Sequence, residues 1–127
     1  MAAIHLKSRS VAVAAAASLA LAILAGPAAA HTQVSSSSPS SGKTMRSTLS
    51  AASVTFSGPI RRGTIRVTGP GGKLWSVGSG GRDPRNIHRV IVGLRGGKPA
   101  GSYRASWAIV AADGHQQSGS FRFKLRR

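Results

Sequence analysis

Between residues 102 and 125 apolar and polar side chains alternate in two runs. Tyr103, Ala105, Trp107 and Ile109 take every second position of the first run. Phe121, Phe123 and Leu125 do the same in the second, interleaved with Arg122 and Lys124. A period of two puts side chains on one face of a strand and leaves the other face wet, so strands are predicted over 103–110 and 120–125. The polar residues between them predict a turn, at which Gly114 can take a backbone angle closed to other residues.

The alternation extends upstream. Val54 and Phe56 alternate with Ser53 and Thr55, Ile65 and Val67 alternate with Thr64, Arg66 and Thr68, and residues 88–94 form another apolar run. Leu74 and Trp75 predict a short strand, while residues 78–86, with an Asp83-Pro84 turn, read as a loop. Ser57-Gly58-Pro59, Gly69-Pro70-Gly71-Gly72 and Gly96-Gly97 punctuate these runs as turns. Residues 32–48 carry no such pattern and read as an extended lead-in with a turn at Pro39 and Gly42. Within it, residues 35–38 are all serine and fit a linker as well as they fit structure.

Six or seven short strands set off by Gly/Pro turns, with no helical period and no internal repeat, predict an all-β domain, a single β-sandwich or small barrel. Its core is expected from Val54, Phe56, Ile65, Val67, Val90 and Val92 together with the alternating faces of the two final strands. Trp107 is assigned to that core because it shares the apolar face.

The first thirty residues differ in kind. Lys7 and Arg9 precede an apolar run over 11–25 interrupted only by Ser18, and Gly26-Pro27 leads to Ala28-Ala29-Ala30. A basic start, a short apolar core and a small-x-small end predict a secretory signal peptide over 1–30. The apolar run is shorter than the roughly 20 residues a spanning helix needs. The domain is then 31–127, exported to a periplasmic or other extracytoplasmic location. Cleavage after Ala30 makes His31 the first residue, with a free amine beside its imidazole. Two such nitrogens suit the tetragonal N,O geometry of Cu(II).

Composition narrows the chemistry. With no cysteine, neither a disulfide framework nor a thiolate metal site is available. The 18 Lys and Arg residues face two acids, Asp83 and Asp113, for a net charge of +16. Losing Lys7 and Arg9 with the leader lowers this to about +14. Such a surface is attracted to anionic lipid headgroups or envelope polymers. Export and the scattering of the basic residues argue against a specific nucleic-acid partner, as does the need for the aromatic residues inside the core.

Asp113-Gly114-His115 sets a carboxylate and an imidazole two positions apart on the predicted turn, which is half of a metal site. Taken alone, Asp113 also reads as a turn-former and His115 as a solvated loop residue. Asp83, before a proline, reads as structural, and His88 as a surface or strand-edge residue.

The order and spacing of several motifs resemble the CopC-type copper-resistance domain family. They are Tyr103-x-x-x-Trp107-x-x-Val110-x-Ala112-Asp113-Gly114-His115-x-x-x-Gly119-x-Phe121-x-Phe123, Ser38-Pro39-x-x-Gly42, Val54-x-Phe56-Ser57-x-Pro59, and His31 directly after the leader. The resemblance covers residues 31–127 and implies a Greek-key, cupredoxin-like (Ig-like) β-sandwich that binds Cu(II) in the periplasm. It implies as copper ligands the amine and imidazole of His31, Asp113 and His115. It also implies a non-catalytic role in copper resistance or homeostasis, by sequestration or by delivery to a CopD-like membrane copper permease.

Two departures stand out. The methionine-rich loop with which some members hold Cu(I) has no counterpart over 71–86, and Met45 is isolated. Gly58 stands where the family often carries an acidic residue before the proline. Competing readings are a basic exported module for anionic envelope polymers and, given the N-terminal histidine, a histidine-brace copper oxidase. The chain is short for the latter and has no surplus of aromatic residues for a substrate face.

Overall fold

The computed structural model describes residues 32–127. The expected leader over 1–30 and His31 lie outside the described residues. The strands are β1 (Val34–Ser38), β2 (Thr44–Arg46), β3 (Ala51–Phe56), β4 (Ile60–Thr68), β5 (Gly81–Asp83), β6 (Asn86–Gly93), β7 (Gly101–Ala111) and β8 (Gln116–Arg126). They form two four-stranded sheets, ordered β1-β3-β6-β5 and β2-β8-β7-β4. The chain changes sheet at every connection except the β5–β6 and β7–β8 hairpins, as in a Greek-key sandwich. Pairing is antiparallel except between β2 and β8, which run parallel.

The alternating faces meet between the sheets. Val54, Phe56, Ile65, Val67, Val90, Tyr103, Ala105 and Phe123 are all but sealed from solvent. Tyr103 stacks on Phe123 with ring centroids 5.6 Å apart. Burying each large apolar side chain contributes roughly 1.5–3 kcal/mol, so the rings of β7 and β8 anchor the core. Tyr103 adds a polar tie, its hydroxyl donating to the Pro99 carbonyl just ahead of β7.

Several sequence expectations need correction. The lead-in segment holds two strands, and residues 35–38 belong to edge strand β1, where Ser36 pairs with Thr55 and Ser38 with Ser53. β1 buries neither face; ladder hydrogen bonds hold it, and these leave no hydropathy pattern to read. The expected loop over 78–86 contains β5, which pairs with β6. The expected strand at Leu74 and Trp75 is instead two isolated bridges, Thr68 to Leu74 and Ser76 to Leu94.

Trp107 is half-buried rather than central. It pairs with Gly119 across β7 and β8, and a Cβ on Gly119 would lie 2.6 Å from Trp107 Cζ2. The indole therefore lies over the space that the glycine leaves, in edge contact with Phe56 at 5.0 Å between centroids. Asp83 is structural, as expected: it is 2 % exposed, its Oδ1 accepts the Arg85 backbone N–H at 2.9 Å, and Arg89 Nη1 lies 3.5 Å from Oδ2.

Two tests follow from this packing. Tyr103→Phe leaves the half-buried Pro99 carbonyl without its donor, at an expected cost of about 1 kcal/mol in denaturant unfolding. Burial also raises the Tyr103 phenol above its ordinary 10.0. The folded protein thus holds that proton more tightly than the unfolded chain does, a contribution present in full below pH 10 and lost as pH rises further. The stability gap between native protein and Tyr103→Phe should therefore shrink above pH 10. At the far end of the hairpin, Gly114 has φ +92° with open space around its Cα. Gly114→Ala should then lose about 1–2 kcal/mol in the same unfolding measurement from backbone strain alone.

Candidate metal centre

The β7–β8 hairpin carries the site. Its register runs without a break from Gly101–Leu125 to Val110–Gln116, and the turn closes with Ala111 N–H donating to His115 O at 2.9 Å and Gly114 N–H to Ala111 O at 2.9 Å. Asp113 organises the turn tip. Its Oδ1 accepts the His115 backbone N–H at 3.0 Å, and its Oδ2 lies 2.8 Å from His115 Nδ1. With the proton on Nδ1, the imidazole donates to the carboxylate and Nε2 is the lone-pair nitrogen. A carboxylate so placed fixes the tautomer and orientation of a histidine. Both side chains are solvent-accessible, 56 % for His115 and 43 % for Asp113.

The turn is braced from β4. Ala112 N–H donates to Pro59 O at 3.0 Å, and Arg61 Nε donates to Ala112 O at 3.0 Å. Arg61 reaches that carbonyl because the register of β4 against β7 shifts between Ile60 and Arg62; a bulge there turns the extra side chain toward the turn. Arg61 is a site residue that the sequence analysis missed. The only available signal was a change of phase, since Ile60 and Ile65 are both buried although they are five residues apart.

The first described residues lie against the same brace. Gln33 N–H donates to Ser57 Oγ at 2.9 Å, and Ser57 N–H donates to Gln33 O at 2.8 Å. Thr32 packs on Gly58, where a Cβ would come within 2.9 Å of its Oγ1. An acidic side chain at position 58 would oblige the Thr32 hydroxyl to turn away. Residues 32–33, 57–59 and 112–115 thus share one end of the sandwich.

Of the predicted ligands, the structure brings Asp113 and His115 together, while His31 lies outside the described residues. His88 sits half-buried on interior strand β6, not on an edge, with Nδ1 3.2 Å from Phe56 O. Among the described residues no three His, Asp or Glu side chains cluster as a metal site. The Asp113–His115 pair offers one oxygen and one imidazole nitrogen, donor types that suit Cu(II) better than the softer Cu(I). Met45, the only methionine among the described residues, packs its thioether against the core.

Known proteins agree with this architecture. CutJ, a copper transport protein of Bacillus subtilis (strain 168), is 30% identical over 98 residues. Those residues are 76% of this chain and 18% of CutJ, so the chain spans under a fifth of that relative's length. The crystal structure of CopC from Methylosinus trichosporium OB3b superposes with a TM-score of 0.63 at 19% identity, over 75% of this chain and 93% of that one. That of PcoC, a methionine-rich copper resistance protein from Escherichia coli, does so with a TM-score of 0.59 at 23% identity, over 76% and 100%. At such identities the structures establish the shared β-sandwich. Residues 34–126, most of the sequence, match the CopC domain, and the chain belongs to the CopC domain family.

Proposed function

We propose that this protein is an exported Cu(II) carrier of the cell envelope, acting in copper resistance or homeostasis by sequestering the ion or handing it to a CopD-like membrane permease. The observation that carries this reading is the Asp113–His115 pair, 2.8 Å apart, on a turn braced beside residues 32 and 33. Removal of residues 1–30 as a leader would free the amine of His31 one residue before Thr32. Copper would then be cargo held by the His31 amine and imidazole, the His115 imidazole and the Asp113 carboxylate. Three nitrogens and one oxygen make a tetragonal Cu(II) set.

The chain's own residues set the terms of uptake and release. In the metal-free chain Asp113 orients the His115 ring, a contact it would give up on becoming a ligand itself, and Arg61 and Pro59 hold the turn still through both polar groups of Ala112. A site that needs little rearrangement loses less affinity to ordering. The accessible turn also suits exchange with a partner better than a sealed cavity would. This is a binding role and not an enzymatic one. The names of CutJ and PcoC, with the family itself, support copper as the cargo.

The test is a Cu(II) titration of protein whose His31 N-terminus has been verified by mass, with the ligand set read by EPR. His115→Ala, and separately one extra residue ahead of His31, should each weaken binding by at least about tenfold and reduce the number of coordinated nitrogens. Unchanged affinity in the extended protein would remove the amine from the site. Copper competes with protons for imidazole and amine nitrogens, so affinity should fall as the medium is acidified.

A further inference from the structure

The outer surface of the β2-β8-β7-β4 sheet carries a charge arrangement that neither folding nor copper explains. The buried face takes Ile65, Val67, Tyr103, Ala105, Phe123 and Leu125, so the alternate positions of the same strands face solvent. There β2 presents Arg46, β8 presents Arg122, Lys124 and Arg126, β7 presents Arg104, and β4 presents Arg66, all exposed. Arg62 extends the series toward the hairpin turn. Ser102, Ser106, Ser118, Ser120 and Thr64 fill the gaps with hydroxyls. Neither acid lies on this face: Asp83 is buried on β5 in the other sheet, and Asp113 is in the turn.

The register makes the arrangement costly. Arg104 stands directly opposite Arg122, and Arg46 directly opposite Arg126. Like charges paired across strands destabilise a sheet, and the nearest relief is weak: Arg104 Nη2 donates to Ser120 Oγ at 2.9 Å and Arg66 Nη2 to Ser79 Oγ at 3.2 Å. Cations held face to face without counter-charge are explained by a partner that supplies it.

We propose that this face docks the protein on an anionic phospholipid surface. The cations lie in a two-dimensional array, across four strands about 4.8 Å apart and along the C-terminal half of β8, rather than in a file along one groove. A plane of phosphate headgroups matches such an array better than a single polymer strand does. The face also presents no aromatic ring, so it lacks the stacking platform of single-stranded nucleic-acid binders. Lying on this face, the sandwich keeps its strands along the membrane, and the Asp113–His115 turn stays at the rim, open sideways. The inference does not rest on copper binding.

The test uses the mature chain without copper, in sedimentation with vesicles of phosphatidylcholine alone or with about 30% phosphatidylglycerol. Binding should require the anionic lipid and disappear between about 50 and 500 mM salt. Each headgroup-facing cation should account for about a fivefold change in partitioning. The triple variant Arg104→Gln/Arg122→Gln/Lys124→Gln should thus bind about a hundredfold more weakly, and relief of the Arg104–Arg122 pair should keep its thermal midpoint at or above that of the native protein. A control of equal charge, Arg82→Gln/Arg85→Gln/Arg95→Gln, on β5 of the other sheet and the segments flanking β6, should retain most of the binding. Equal loss in the two triples would reduce the effect to net charge and overturn the assignment. So would complete stripping from the vesicles by a soluble polyphosphate chain at equal phosphate concentration, which would assign the face to a linear polymer. Should the triple variant unfold, the salt and polyphosphate titrations of the native protein still decide the question.

Discussion

One register governs this molecule, the uninterrupted antiparallel pairing of β7 with β8. Side chains alternate with a period of two, so fixing Tyr103 opposite Phe123 decides every other position of both strands at once. The rings of Tyr103 and Phe123 go inward to stack, and Arg104, Arg122 and Lys124 go outward. The same pairing carries Asp113 and His115 to the tip of the hairpin. Core, charged face and candidate metal turn are three readings of one ladder. A one-residue slip would undo all three together.

The hairpin tip would be an ordinary solvated turn if the ladder were its only support. It is stiffened from outside by the start of β4, where Arg61 and the carbonyl of Pro59 just ahead of the strand take up both polar groups of Ala112. Residues 32 and 33 lie on the other side of that brace, against Ser57 and Gly58. Chemistry at this end of the sandwich thus draws on three segments far apart in sequence, and the fold makes them neighbours. Gly58 illustrates how local the adjustment is: with no side chain there, the Thr32 hydroxyl packs within 2.9 Å of where a Cβ would stand.

The sequence revealed what hydrophobic burial enforces. The strands around Val54, Ile65, Val90, Tyr103 and Phe123 were legible because each has one dry face, and the turn at Gly114 because polar residues break the alternation. β1 was not legible, since a serine-rich edge strand buries nothing and is held by its backbone. β5 escaped notice because three residues are too few to show a period. Trp107 was assigned to the core on parity alone; only the pairing with Gly119 shows that it rests on a partner with no side chain. Within the candidate site, Asp113 and His115 stood out by residue type, whereas Arg61 has no chemical signature and acts through the position the bulge gives it.

That bulge has a wider meaning. Ile60 and the Ile65–Val67 pair sit at positions of opposite parity, yet all are buried. The extra residue at Arg61 works as a phase shifter, letting one strand keep both ends in the core. Deletions in this part of the chain would accordingly act on the phase of the surface: removing the one extra residue would leave a regular strand with Ile60 and Ile65 both still inward, whereas shortening that regular strand by one more would exchange the inside and outside of the rest of β4.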